Sequence, residues 1–245
     1  FRSYAEDAQL AHGGKMNEGE MSTRLGVKGI PALAEELMVA RDISLAEYNN
    51  APLHLSTIST AASVELVRKA KKNGIAITAG VAVMNLVATE NELIEFDSNY
   101  KVKPPLRTKQ DQKALWEALK DGTIDVICSD HSPQDIESKE REFDTAAFGA
   151  IGLESAFALI NSHNNTLSLE ELIGKISLAP RKVLDVKVPQ LKEGSAANLS
   201  LFNPEESWTF QPSDIHSKSK NTPFIGKNLK GKVIGIVNKN QVLKF

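Results

Sequence analysis

Asp125-Val126-Ile127-Cys128-Ser129-Asp130-His131-Ser132-Pro133-Gln134 is an apolar strand that runs straight into an acid, an imidazole and a turn stopped by proline. A parallel strand buried on both faces is a continuous apolar run, and in barrels the residues that do chemistry sit where such strands end. Asp130 and His131 occupy that end. A carboxylate there can hold a metal or move a proton, and burying it unpaired is costly, so it requires a partner.

Two more apolar runs, Pro52 to Ile58 and Gly74 to Val81, join Ile124 to Ser129 as strands. Between the first two, Ala61 to Asn73 places Val64, Val67 and Ala70 at helical spacing, leaves Arg68, Lys69, Lys71 and Lys72 mostly outside as a solvated face, and ends at Gly74. Lys109 to Leu119 repeats the theme and closes at Asp121-Gly122. Strands separated by helices of this length point to a parallel α/β sheet or barrel, with an ordinary doubly wound sheet as the alternative. The pattern Ser168 to Ile176 predicts a further helix, followed by Ala179-Pro180-Arg181. From about Lys187 the texture changes to short strands, Asn198 to Phe202, Val233 to Val237 and Gln241 to Leu243. The expected division is a barrel portion over 1-186 and a small β domain over 187-245.

The chain has 245 residues, 41% hydrophobic and 24% charged, which is the balance of an ordinary globular protein rather than a disordered one. A net charge of -2 gives no basic footprint, so no nucleic-acid partner is expected. No apolar run approaches the roughly 18 residues of a membrane span, so no membrane partner is expected either. The single cysteine, Cys128, excludes an internal disulfide and any multi-cysteine zinc site. Its place in the strand favours core packing over a nucleophile's role. It also fits a reducing compartment, and the expected location is cytoplasmic. The first residues carry neither a signal-peptide core nor an initiator Met, so the expected start lies upstream.

Eight pieces in order give the chain a resemblance to the dihydroorotase family of cyclic amidohydrolases. They are Ala5-Glu6-Asp7, Met16-Asn17-Glu18-Gly19, Gly29-Ile30-Pro31-Ala32 with Arg41-Asp42, and Ser59-Thr60 with its helix. Further along come Pro104-Pro105-Leu106-Arg107, Asp130-His131-Ser132-Pro133, Phe148-Gly149 with Gly152-Leu153-Glu154, and Asn221-Thr222-Pro223. The resemblance implies a metal-dependent, TIM-like (β/α) barrel with a small β-sandwich, and opening of a cyclic amide, dihydroorotate to carbamoyl aspartate. The family's His-x-His motif does not occur among His12, His54, His131, His163 and His216. An upstream segment of the barrel is therefore expected.

Carried over residue by residue, the resemblance makes Asp7 a bridging metal ligand and Asp130 both a metal ligand and the catalytic acid that shuttles the proton. His131 becomes a substrate contact. The two histidines of a second metal site fall where this chain has Thr57 and Asn85, which are poor zinc donors. His54, three residues before Thr57, belongs to the opposite strand face by alternation and offers no rescue. Gly80 replaces an acidic residue, Lys103 an asparagine, and Gln134 a second histidine. One zinc ion is then the most this chain is expected to hold. Lys103 is the candidate cation to replace metal charge beside the two acids, and Lys103 or Arg107 could hold a substrate carboxylate. Two functions stay open: a dihydroorotase-like enzyme acting on a small cyclic amide, or a non-catalytic homologue that assembles with aspartate transcarbamoylase. A homodimer is the expected state.

Overall fold

Parallel strands cannot be joined by tight turns; each crossover needs a dozen residues or more, usually a helix. The computed structural model, which describes residues 1–245, meets that need. In chain order the elements are β1 (Arg2–Ser3), β2 (Met16–Asn17), α1 (Glu20–Leu25), β3 (Gly29–Ile30), α2 (Leu33–Tyr48), β4 (Leu53–Leu55), α3 (Ala61–Lys72) and β5 (Ile77–Ala82). Then come α4 (Val83–Val87), α5 (Lys109–Lys120), β6 (Val126–Cys128), α6 (Ile136–Lys139), α7 (Ala156–His163), α8 (Leu169–Ile173) and α9 (Ala179–Val183). The last three are β7 (Asn198–Thr209), β8 (Asn228–Asn238) and β9 (Gln241–Lys244).

Strands β1, β4, β5 and β6 form one parallel sheet in that order, with Ser3 opposite Leu55, Leu55 opposite Ala79, and Gly80 opposite Val126. This is an arc of a TIM-like barrel. Leu53, Leu55, Ile77, Ala79, Val81 and Ile127 are buried in the main core with Val64, Val67 and Leu115 of the crossover helices. Both crossover helices start at a threonine cap: the Thr60 hydroxyl accepts from the Ser63 N–H, and the Thr108 hydroxyl accepts from the Asp111 N–H. No helix is long and apolar enough to cross a membrane.

Several elements depart from the sequence pattern. The 16-residue α2 has apolar side chains on both faces, so its helical period is faint; Val39 is buried while Leu33, Leu37 and Leu45 are exposed. The expected helix from Ser168 continues past Ile176 as a π-helical turn over Gly174–Leu178 into α9. Pro180 has no N–H to give and its ring crowds the carbonyl four residues back, which breaks the regular ladder there. Strand β7 runs on through Pro204 to Thr209; its register against β8 shifts between Leu201 and Phe202 and again between Asn203 and Ser207, and the second interval holds the proline and its missing donor. Strands β7, β8 and β9 make an antiparallel sheet, and Leu229 of β8 with Phe210, Ile215 and Phe224 beside the sheet belong to the same 34-residue core as the barrel strands.

At the entrance to the helices lies a buried polar network. Glu35, in the first turn of α2, accepts the Ser59 and Thr60 N–H groups at 2.8 and 3.1 Å and the Ser59 hydroxyl on its other oxygen. Arg107 Nε donates to Ser59 Oγ at 3.0 Å, and its Nη1 donates to Asn17 Oδ1 at 2.7 Å and to the Ile30 carbonyl at 3.2 Å. Its Nη2 stands 3.7 Å from Glu35 Oε2, and Asn17 Nδ2 donates to Glu90 Oε2 at 2.6 Å. The side chains of Arg107 and Glu35 are 3% and 4% exposed, so the guanidinium is spent on the fold. The expectation that Arg107 holds a substrate carboxylate is corrected accordingly. Asp42 makes a second joint, taking the Ser3 hydroxyl at 2.5 Å and the Arg41 guanidinium, and so ties β1 to α2.

Two outcomes follow for stability. Arg107→Met strands Glu35 without its cation and is expected to cost about 3–5 kcal/mol in chemical denaturation, with Arg107→Met/Glu35→Gln recovering part of the loss; simple additivity of the two would refute the pairing. A Cβ at Gly80 would lie 2.4 Å from the Ser56 carbonyl oxygen. Gly80→Ala should therefore lower stability by about 1–3 kcal/mol as the strands are forced apart, and an unchanged unfolding midpoint would show that they can separate freely.

Candidate functional site

The face of the arc turned away from the helices carries polar residues at alternate positions. His54 and Ser56 lie on it, between the core residues Leu53 and Leu55 and beyond. Together with Arg2, Tyr4, Thr57, Cys128, Ser129, Asp130 and His131 they line a cavity of about 460 Å³, walled on the far side by Pro180, Val183 and Leu184. Because β4 ends at Leu55, strand alternation does not extend to Thr57, and residues 54 and 57 share this cavity rather than facing apart. His54 Nδ1 lies 2.8 Å from Thr78 Oγ1, and burial lowers the imidazole's pKa despite the opposing pull of Asp125.

Asp130 follows β6 with a left-handed backbone, φ 49, a conformation that aspartate tolerates better than most residues. Its carboxylate opens on the cavity and forms no salt bridge, and partial burial raises its pKa above the ordinary range. His131 Nδ1 accepts the N–H groups of Gly152 and Leu153 at 3.2 and 3.3 Å. That leaves the proton on Nε2, so His131 serves as a donor. Burial, then the nearby Asp130 charge, pushes the Cys128 thiol up to about 12, which rules against a thiolate nucleophile. Burial, with Glu6, Glu35 and Asp130 nearby, likewise raises the Tyr4 hydroxyl.

Of the expected catalytic, substrate and metal residues, Asp130 and His131 meet in this cavity, beside Thr57, His54 and Cys128. Asp7 Oδ1 caps a turn, accepting the Gln9 and Leu10 N–H groups at 2.8 and 3.0 Å, and Asp7 is not among the cavity's lining residues. Lys103 Nζ pairs with Glu6 Oε1 at 2.6 Å and stands over the Phe148 ring. It bridges neither Asp7 nor Asp130, so the expectation that its ammonium replaces metal charge between those acids is corrected. Gln134 receives support from Asn221 and Ser132 and lines a different cleft, with Ser98, Asn99 and Lys218. Arg2, Tyr4 and Ser56 carry no sequence motif that marks them; for Ser56 the period-2 pattern Leu53-His54-Leu55-Ser56 is the available signal.

At the two positions where the resemblance calls for imidazole, Thr57 Oγ1 and Asn85 Oδ1 are buried with no hydrogen-bond partner, while Asn85 Nδ2 donates to the Pro105 carbonyl at 3.0 Å. Neither oxygen is a good zinc ligand, and no three His, Cys, Asp or Glu side chains gather closely enough to hold an ion. The residues of this chain do not fit the metal that the resemblance implies.

Comparison with known proteins agrees with this architecture. The profile of the amidohydrolase family matches residues 8–242. A dihydroorotase of Syntrophus aciditrophicus (strain SB) is 45% identical over 234 residues, covering 95% of this chain and 55% of that protein. A dihydroorotase of Thermoanaerobacter sp. (strain X514) is 44% identical, covering 94% and 54%. The chain thus spans about half the length of the curated relatives it matches. Among solved structures, the L-hydantoinase (dihydropyrimidinase) from Arthrobacter aurescens superposes with a TM-score of 0.84 at 25% identity, over 99% of this chain and 56% of that one. The inactive dihydroorotase-like domain of the Chaetomium thermophilum CAD-like multifunctional protein has a TM-score of 0.63 at 21% identity, over 83% and 54%, a likeness of fold alone. The arc of parallel strands, the motif order and these matches together show that the chain belongs to the amidohydrolase family, with a sequence similar to dihydroorotases over about half their length.

Proposed function

We propose that this chain belongs to a dihydroorotase-like protein that has given up metal-dependent hydrolysis and serves as a non-catalytic assembly partner, with aspartate transcarbamoylase as the partner class that the family resemblance suggests. The observation that carries this is the pair of orphaned oxygens, Thr57 Oγ1 and Asn85 Oδ1, standing where two imidazoles would be needed. Imidazole gives zinc a neutral nitrogen lone pair; a threonine hydroxyl and an amide oxygen are far weaker donors to that ion. Asp130 in this reading is a remnant acid, without a cation, at the end of β6.

A second reading is favoured by one feature. Asp130 and the Nε2–H of His131 still face one cavity, an acid and a donor placed to contact the carbonyl and ring nitrogen of a cyclic amide. An enzyme of this kind would hold at most one zinc ion, with Asp130 contributing and the remaining donors coming from outside the residues described.

The two readings separate on metal content and turnover. Protein purified without chelator is expected to contain well below one zinc per chain and to show no dihydroorotate turnover above buffer, while co-eluting with aspartate transcarbamoylase in size-exclusion chromatography. Stoichiometric zinc with turnover would overturn the non-catalytic reading. Asp130→Asn keeps a residue that tolerates the left-handed backbone and removes an unpaired charge, so the denaturation midpoint is expected to stay level or rise. A loss of about 3–5 kcal/mol would instead reveal a cation held against Asp130.

A further inference from the structure

Lysine is rarely buried without a carboxylate, yet Lys101 and Lys139 are 2% and 3% exposed and neither makes a salt bridge. Each ammonium group is instead surrounded by backbone carbonyls. Lys101 Nζ donates to Phe143 O at 2.5 Å, Ala146 O at 2.6 Å and Asp144 O at 3.2 Å, with the Phe143 and Phe148 ring centroids 5.2 and 4.9 Å away. Lys139 Nζ donates to Ser98 O at 2.5 Å, Ala147 O at 2.9 Å and Lys101 O at 3.4 Å.

The two sets interlock. Lys101 stands in the turn from Ser98 and reaches carbonyls of the segment after α6; Lys139 stands at the end of α6 and reaches carbonyls of that turn. Further bonds join the same two pieces, a backbone bond from Gly149 N–H to Lys101 O at 2.8 Å and a side-chain bond from the Ser98 hydroxyl to Lys139 O at 2.8 Å. The segment itself, Asp135 to Phe148, is charged and short of apolar side chains, with Phe143 and Ala146 as its buried hydrophobics. It departs just after Gln134 and returns at Ala150, which bridges His131, and Gly152 and Leu153 then supply the amides on His131 Nδ1. Gly149 fits the return because a Cβ there would meet Ser132 Oγ at 2.5 Å, at φ 126.

We propose that residues 135–149 form a strap that opens as one unit, latched by the reciprocal carbonyl contacts of Lys101 and Lys139, and that its closure sets the rim of the cavity by bringing the Gly152 and Leu153 amides onto His131. The groups facing the latch are Lys15 and Asp144 around Lys101, and Lys101 and Asp97 around Lys139. Burial, reinforced by the like charges, brings both lysines down to about 8 in the closed strap. A lysine freed to solvent titrates near 10.4, so closing releases protons between those values, and closure strengthens as pH rises through that window and is level below it.

Hydrogen exchange followed by mass spectrometry on the intact chain tests the latch. At pH 7, Lys101→Met and Lys139→Met are each expected to speed exchange of the Ser138–Gly149 amides at least tenfold, with the double variant close to either single one and the β4 and β5 amides unchanged. Unchanged strap amides, or β5 amides accelerating by the same factor, would overturn the proposal. In the unaltered protein at sub-denaturing urea, the strap amides are expected to share one opening free energy below that of β5, which covers the case of a variant that does not fold. Exchange of the strap only through global unfolding would overturn it. Corrected for intrinsic rates, strap opening should fall between pH 8 and 10; a flat response across that window would show that the two lysines do not govern it.

Discussion

Arg107 is the joint on which the rest of this structure is assembled. Its guanidinium reaches Ser59 at the start of α3, Asn17 in β2, the Ile30 carbonyl in β3 and Glu35 in α2, elements that lie up to 90 residues away in sequence. A planar cation with donors in a fixed fork can satisfy several acceptors at once, and in a buried setting each acceptor left without it would be stranded. The polar motifs at residues 17, 35, 59 and 107 thus meet in one network. Asn221 works in the same way on a smaller scale, binding the Ser132 and Gly149 carbonyls and the Gln134 N–H.

With the frame held this way, the ends of the parallel strands are free to carry polar groups, and the cavity beside Asp130 results. What that cavity can do depends on donors. Asp130 makes no salt bridge, His131 Nδ1 takes two amide N–H groups, and Thr57 leaves a buried oxygen unpaired beside the cavity, as Asn85 does elsewhere in the core. Such a surface suits hydrogen bonding to a polar partner better than cage formation around a divalent ion.

Lys101 and Lys139 show a second use of ionised groups in the fold. In place of opposite charges, backbone carbonyls satisfy each ammonium. These contacts join the turn at Ser98 to Lys101 with the segment after Gln134, and that segment has little apolar burial of its own, a mark of the less stable parts of a fold. The barrel arc, by contrast, is held by a core that extends from the strands into the antiparallel sheet.

Much of this was legible in the residues. Apolar runs broken by helices with period 3.6 predict β4, α3, β5, α5 and β6 within a few residues, because burial on one face dictates spacing locally. The chemistry of Thr57 and Asn85 as poor metal donors likewise needs only their identities. Short or two-faced elements such as β1, β2, β3 and α2 leave too little periodic signal to find. The partners of long charged side chains were beyond sequence altogether: Lys103 meets Glu6, not Asp7 one residue on, across 97 positions, and Arg107 turns inward rather than toward a ligand. Composition and spacing fix which face of an element is buried; which of several neighbouring charges lies within 3 Å of a flexible cation is decided only when the elements pack.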